Sequence, residues 1–276
     1  MADQLNLVFF PSSYSELFSA WSRYPIAVPY AGGTALIREQ GRPILELPSI
    51  ILSLEKLEEM SRISRSERYL EIGAMAKLSQ IIDLGKIVPA ALRHCLENIA
   101  GPQLRNMATI GGSLCFRGGR LDSAAALTAL DAQCELRGAQ SSRWISASRF
   151  FAEPGLSALK PQELLTRIRI PLDSWDYSAY KKFTGQAGRS KVVIFLAKTQ
   201  KNVLSDIRIV YKTGTLWRNK DSESILAGKQ LPLNHRIAAD FIKNWETFAS
   251  GLHNVDELSR KELINFIEIN INNLSD

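Results

Sequence analysis

Apolar positions alternate between two periods along this chain, and the switches between them mark its elements. Tyr14, Leu17, Phe18 and Trp21 fall at i, i+3, i+4 and i+7, and Ser13 with Glu16 has capping-box spacing, so a helix follows Pro11-Ser12-Ser13. Ala27–Tyr30 is a short apolar run of strand type, Ala35-Leu36-Ile37-Arg38 starts a helix, and Ile44–Leu47 reads as the next strand. That β-α-β unit closes a first lobe, residues 1–53.

From Leu54 the texture changes. Ile63 and Tyr69–Gly73 predict a hairpin around the polar Ser64–Arg68, and Ala74–Ile82 starts a helix. Pro89 opens another helix, with Leu92, Cys95, Leu96 and Ile99 on one face, and Gly101-Pro102 ends it. The helix Ser123–Leu130 and the strands Cys134–Arg137 and Arg143–Ser146 follow. Leu165–Ile170 then alternates strictly until Pro171 stops it. These make a second lobe, residues 54–172, and Asp173–Asp176 links it to residues 176–276. There, Ser178–Phe183 and Asp206–Tyr211 are strand-like, while the apolar run Val192–Lys198 fits helix or strand. Ser222–Leu226, Arg236–Ser250 and Ser259–Asn270 are helical. An α+β fold is expected, with a three-stranded antiparallel sheet and helices on one side at the C-terminal end.

Composition narrows the function classes. With 45% hydrophobic and 22% charged residues the chain is globular. No apolar run reaches the ~18 residues of a membrane span, and the start lacks a signal peptide's basic region, which points to the cytoplasm. Cys95, Cys115 and Cys134 are an odd, scattered set without C-x-x-C, which argues against a disulfide framework, a zinc site or an iron–sulfur cluster within this chain. Three dispersed histidines form no metal motif. The net charge of +6 suits a phosphate-bearing ligand or an acidic partner, but the basic residues never cluster as a nucleic-acid interface requires.

Candidate chemistry sits in two glycine turns. Ala31-Gly32-Gly33-Thr34-Ala35 follows a strand and opens a helix, so its first amides are free to meet an anion. Thr109 adjoins Gly111-Gly112, and a second pair, Gly118-Gly119, leads to Asp122. Main-chain amides and the Thr109 hydroxyl could face phosphate oxygens from two sides, with Asp122 near a ribose diol or serving as a helix N-cap. The pattern is neither a P-loop nor a Rossmann fingerprint, and nucleophile–base motifs are missing.

Ala31-Gly-Gly-Thr-Ala-Leu-Ile37, Arg105-Asn-Met-Ala-Thr-Ile-Gly-Gly-Ser-Leu114 and the Leu121–Ala132 segment resemble the FAD-binding subunits of the molybdenum hydroxylases, which include bacterial xanthine dehydrogenases and aerobic carbon monoxide dehydrogenases. The resemblance runs from the first helix to about Lys229. It implies the two-lobed FAD-binding fold shared with vanillyl-alcohol-oxidase-like flavoproteins, then a small α+β domain. It also implies non-covalent FAD, with Ala31, Gly32, Gly33, Thr34 and Ala35 on one side of the pyrophosphate and Thr109, Ile110, Gly111, Gly112 and Ser113 on the other. Asp122 falls near the adenosine ribose. Ile99 packs on the flavin ring or simply in the core, and Lys181, or Lys182 in the adjacent register, lies near the flavin. Electrons would come from iron–sulfur clusters of one partner subunit, after hydroxylation at a molybdopterin-binding partner, and leave to NAD+ or another acceptor. The sequence departs from the family at Ser113, where Asn is common, at Cys115–Arg120, where a Ser-Pro-rich segment is usual, and at Ala125-Ala126, where Pro follows the Asp. The alternative is a fold relative without productive flavin binding, acting as a structural or assembly subunit.

Overall fold

A computed structural model gives the fold, and residues 6–40, 46–116, 122–152, 158–184, 190–253 and 255–274 are described. Three sheets carry it. The first is parallel, in the order β1 (Leu7–Phe9), β3 (Ile50–Ser53), β2 (Val28–Tyr30). Helix α1 (Tyr14–Arg23) covers it by burying Leu17, Phe18 and Trp21, and α2 (Thr34–Gln40) begins directly after the first glycine turn. At the start of α1 the Ser13 hydroxyl accepts from the Glu16 amide, whereas the Glu16 carboxylate accepts from the Ser12 amide at 2.8 Å. The cap is therefore shared by two serines.

The strand expected at Ile44–Leu47 is corrected to Ile50–Ser53. Ile44 and Leu45 lie outside the described residues, and Glu46 and Leu47 are irregular. The run Ile50-Ile51-Leu52 is the central strand because both neighbours pair with it.

The second sheet is antiparallel, in the order β4-β5-β8-β6-β7, from β4 (Ile63–Arg65), β5 (Tyr69–Gly73), β6 (Gln133–Arg137), β7 (Ser142–Ser146) and β8 (Leu164–Pro171). β8 ends at Pro171 as expected, with Pro171 paired to Tyr69 as its last residue, a position where a missing N–H is tolerated. The same lobe carries α3 (Leu78–Asp83), α4 (Ala90–Glu97), α5 (Pro102–Arg105), α6 (Ile110–Cys115), α7 (Asp122–Ala129) and α8 (Ala147–Phe150), of which α6 and α8 pack on this sheet. The expected helix at Ala74 begins only at Leu78, because the amides of Ala74 and Met75 are bonded to Thr166 and Met60 across the fold.

The third sheet has four strands, not three: β9 (Tyr177–Thr184), β10 (Ser190–Gln200), β11 (Val203–Lys212) and β12 (Leu216–Arg218), in the order β12-β11-β10-β9. The undecided run Val192–Lys198 is its central strand. Helices α9 (Lys220–Leu226), α10 (His235–Ser250) and α11 (Glu257–Asn272) follow. The Val192–Ala197 stretch of β10 is apolar throughout because both faces of the strand are buried there. Val192, Ile194 and Leu196 join the core of the preceding lobes, while Val193, Phe195 and Ala197 pack with Phe241, Trp245 and Leu263. Helix α7, buried on every side, fills the space between α4 and the β10–β11 pair.

Candidate functional site

Gly32 and Gly112, 80 residues apart in the chain, meet at one cleft. A Cβ on Gly32 would stand 2.1 Å from the Met107 carbonyl oxygen, so only glycine lets the first turn lie against the backbone that leads into the second. Gly33 has φ of +68°, a left-handed conformation that glycine adopts without strain. Among the described residues no partner is found for the amides of Gly33, Thr34 and Ala35, which open α2. They are free to donate to a ligand.

The second turn works differently, and here the expectation of free amides is corrected. Thr109 is the N-cap of α6, and Gly111 and Gly112 lie within that helix rather than in a positive-φ loop. The Ile110 amide donates to the Ala76 carbonyl at 3.0 Å, Gly111 to Ala74 at 2.8 Å, Gly112 to Thr109 Oγ1 at 3.1 Å and Ser113 to the Thr109 carbonyl at 2.9 Å. Ile110 and Gly111 are buried beneath the cleft; a Cβ on Gly111 would stand 2.6 Å from that of Ala74. What this turn presents is the Thr109 hydroxyl, which still has a proton to donate, the bare surface of Gly112, and Ser113.

The cleft has a volume of about 840 Å³ and is lined by Ala31 to Ala35, Thr109, Gly112, Ser113, Ile99 and Asp122. Lys182 lines it and Lys181 does not. Lys182 pairs with Val192 across the ladder and shares its face toward α7, whereas Lys181 pairs with Val193 and is exposed on the opposite side. Lys182 Nζ stands 2.7 Å from Asp122 Oδ2 and donates to the Asn98 carbonyl at 2.9 Å. Lys212 Nζ lies 3.4 Å from Asp122 Oδ1, which also accepts from the Ser190 hydroxyl.

Asp122 is thus held by three strands of the C-terminal sheet. Burial alone would raise its pKa, but the Lys182 hydrogen bond, the Lys212 charge and the Ser190 hydroxyl together hold the carboxyl below its ordinary value. Ile99 is positioned by Arg105, whose Nη1 donates to the carbonyls of Glu97, Ile99 and Ala100 at 2.9, 3.0 and 2.7 Å. Arg117 to Leu121, including the second glycine pair, lies outside the described residues.

Sequence reasoning named Lys182 only as a register alternative and missed Tyr30, Arg105 and Ser190. Tyr30 had a signal, since it immediately precedes the first turn, and its hydroxyl stands where a Cβ on Gly33 would be. Ser190 had none.

The residues fit a dinucleotide: one turn offers free amides, the other a hydroxyl and a surface without a side chain, and both open on a cleft of cofactor size. Among the described residues no cluster of His, Cys, Asp and Glu could hold a metal ion, and no helix is long and apolar enough to cross a membrane.

Residues 3–173 match the family described as the FAD binding domain in molybdopterin dehydrogenase. The chain is 32% identical over 191 residues to the glyceraldehyde dehydrogenase medium chain of Sulfolobus acidocaldarius, a match covering 66% of each chain, just under two thirds of that relative. It is 27% identical over 253 residues to the nicotine 6-hydroxylase medium subunit of Paenarthrobacter nicotinovorans, covering 85% of this chain and 87% of that one. Among solved structures, a chain of carbon monoxide dehydrogenase from Hydrogenophaga pseudoflava superposes with a TM-score of 0.80 at 22% identity, over 98% of this chain and 96% of that one. At that identity the likeness is one of fold.

Proposed function

We propose, from the premise that this chain belongs to the family of FAD-binding medium subunits of the molybdenum hydroxylases and is therefore an oxidoreductase subunit whose cofactor is FAD, that it serves as the outlet of a multi-subunit electron relay. When bound, FAD supplies one- and two-electron chemistry, which would connect one-electron iron–sulfur clusters of a partner subunit to NAD+ or another acceptor. Hydroxylation itself would take place in a molybdopterin-binding partner.

This chain's own residues bind and orient. The amides of Gly33, Thr34 and Ala35 would donate to one side of the pyrophosphate. The Thr109 and Ser113 hydroxyls would address the other side, where Gly112 leaves room. Ile99 would supply an apolar contact for the ring, held by Arg105. The ammonium of Lys182, fixed by Asp122 and the Asn98 carbonyl, would place positive charge at the cleft wall and favour a negatively charged ligand there.

The convergence of the two distant turns on one cleft is the observation that carries this reading. FAD titrated into the purified chain, followed by quenching of flavin fluorescence, should saturate at one equivalent and give a yellow protein. A colourless chain that leaves flavin emission unchanged would favour a structural or assembly role instead.

A further inference from the structure

A second cavity, of about 480 Å³, lies outside the flavin cleft, between the N-terminal end of α4, the segment at Leu172–Trp175 and the β9–β10 pair of the C-terminal sheet. Its polar lining is almost wholly cationic. Arg65, Lys86 and Arg93 border it, and the one carboxylate at its edge, Asp173, is paired with Lys198 at 3.6 Å. Two buried donors there have no hydrogen-bond partner: the Ser178 hydroxyl and Nε of Arg93, whose Nη1 reaches Glu97 at 3.3 Å.

The main chain points the same way. Pro89 caps α4 without a side-chain hydrogen bond, and the amides of Leu92 and Arg93 both return to its carbonyl. Ala90 and Ala91, at the positive end of the helix, line the cavity. The remaining walls are apolar. Ser178 and Leu196 are cross-strand partners on one face of the sheet, Leu130 comes from the end of α7, and Trp175 supplies indole surface. Arg208 holds that indole, its guanidinium 4.7 Å from the ring centroid and bonded to the Ala129 carbonyl.

We propose that this cavity, formed where Arg65, Lys86, Arg93 and the free Ser178 hydroxyl meet the apolar wall of Trp175 and Leu196, is a binding site for a small aromatic carboxylate. Buried unpartnered donors beside cations call for an anion, because leaving them unmatched costs the desolvation of each group. Arg65, Lys86 and Arg93 bring positive charge to the cavity for a carboxylate, and the indole and leucine surfaces take a flat apolar body. The volume lies in the ~300–1,000 Å³ range of small-molecule sites.

The test is calorimetry on the FAD-loaded full chain with 2-naphthoate, its neutral counterpart 2-naphthamide, and inorganic phosphate. Naphthoate should bind at one equivalent, and naphthamide and phosphate should bind at least about tenfold more weakly. The double variant Arg65→Ala/Lys86→Ala should lose at least about tenfold in naphthoate affinity, and Ser178→Ala should also weaken it, with flavin content unchanged in both. Equal binding of naphthamide, tighter binding of phosphate, undiminished affinity in the variants, or no naphthoate binding would overturn the proposal. Naphthoate binding only to protein stripped of FAD would overturn it too, by placing the ligand in the flavin cleft. Since flavin content is read separately, failure here is distinguishable from failure of the flavin reading.

Discussion

Asp122 shows how a single residue's role depends on what the fold brings to it. Its carboxylate sits among Lys182, Lys212 and Ser190, with 4% side-chain exposure, and its pKa lies below the ordinary 3.8. A depressed folded-state pKa adds stability that is fully present above the unfolded value and is lost as pH falls through the folded one. The melting-temperature gap between the wild type and Asp122→Asn should therefore be wide at neutral pH and close as the pH drops below about 3.8. Asp122→Ala, which removes the buried carboxylate shared by Lys182, Lys212 and Ser190, should cost about 3 kcal/mol in urea unfolding. Gly32→Val should abolish FAD binding in the same quenching titration, because its Cβ would overlap the Met107 carbonyl. The Cys115 thiol, which borders the cleft, is pushed up to about 12 by burial, as is that of Cys134. Iodoacetamide at pH 8 should accordingly leave the native chain unlabelled until it is unfolded. The glycines and Asp122 were legible as candidates because their residue types are unusual in such clusters; the lysines that hold Asp122 were not, since they come from strands far along the chain.

At the scale of elements, period-two alternation decides which of two adjacent lysines matters. Lys182→Ala removes one of the three partners of Asp122 and the donor to the Asn98 carbonyl, so it should lower both FAD affinity and stability. Lys181→Ala, whose exposed side chain lies on the opposite face, should change stability by less than about 0.5 kcal/mol. Parallel thermal melts and flavin titrations of the two variants check this. Alternation within β9 was visible in the sequence, but which face turns toward the cleft was not, because both faces of the sheet are covered. The helix α7 makes the complementary case. Its Ala-rich composition is required by close packing on all sides, and Ala126→Leu should destabilise by about 1–3 kcal/mol through overpacking, read by urea unfolding.

For the whole molecule, the core that supports the flavin cleft is not confined to the first two lobes. Val192, Ile194, Leu196 and Val210 of the C-terminal sheet belong to the same apolar cluster as Leu17, Leu92 and Ile168. Arg208 and Arg218 of that sheet also pair with Asp131 at the end of α7, at 2.8 and 3.2 Å. A chain cut after residue 173, although it keeps the span that matches the family, should therefore be poorly soluble and fail to retain FAD in gel filtration. The sequence by itself determined the local elements and the chemical kind of the two turns. Helical and strand periods, caps and glycine pairs are set by neighbours within a few residues. Only the tertiary structure decided that the second turn's amides are bonded inward, that Lys182 faces the cleft, and that Asp122 is held from across the molecule. Those outcomes depend on contacts between residues up to 90 positions apart, which no local pattern encodes.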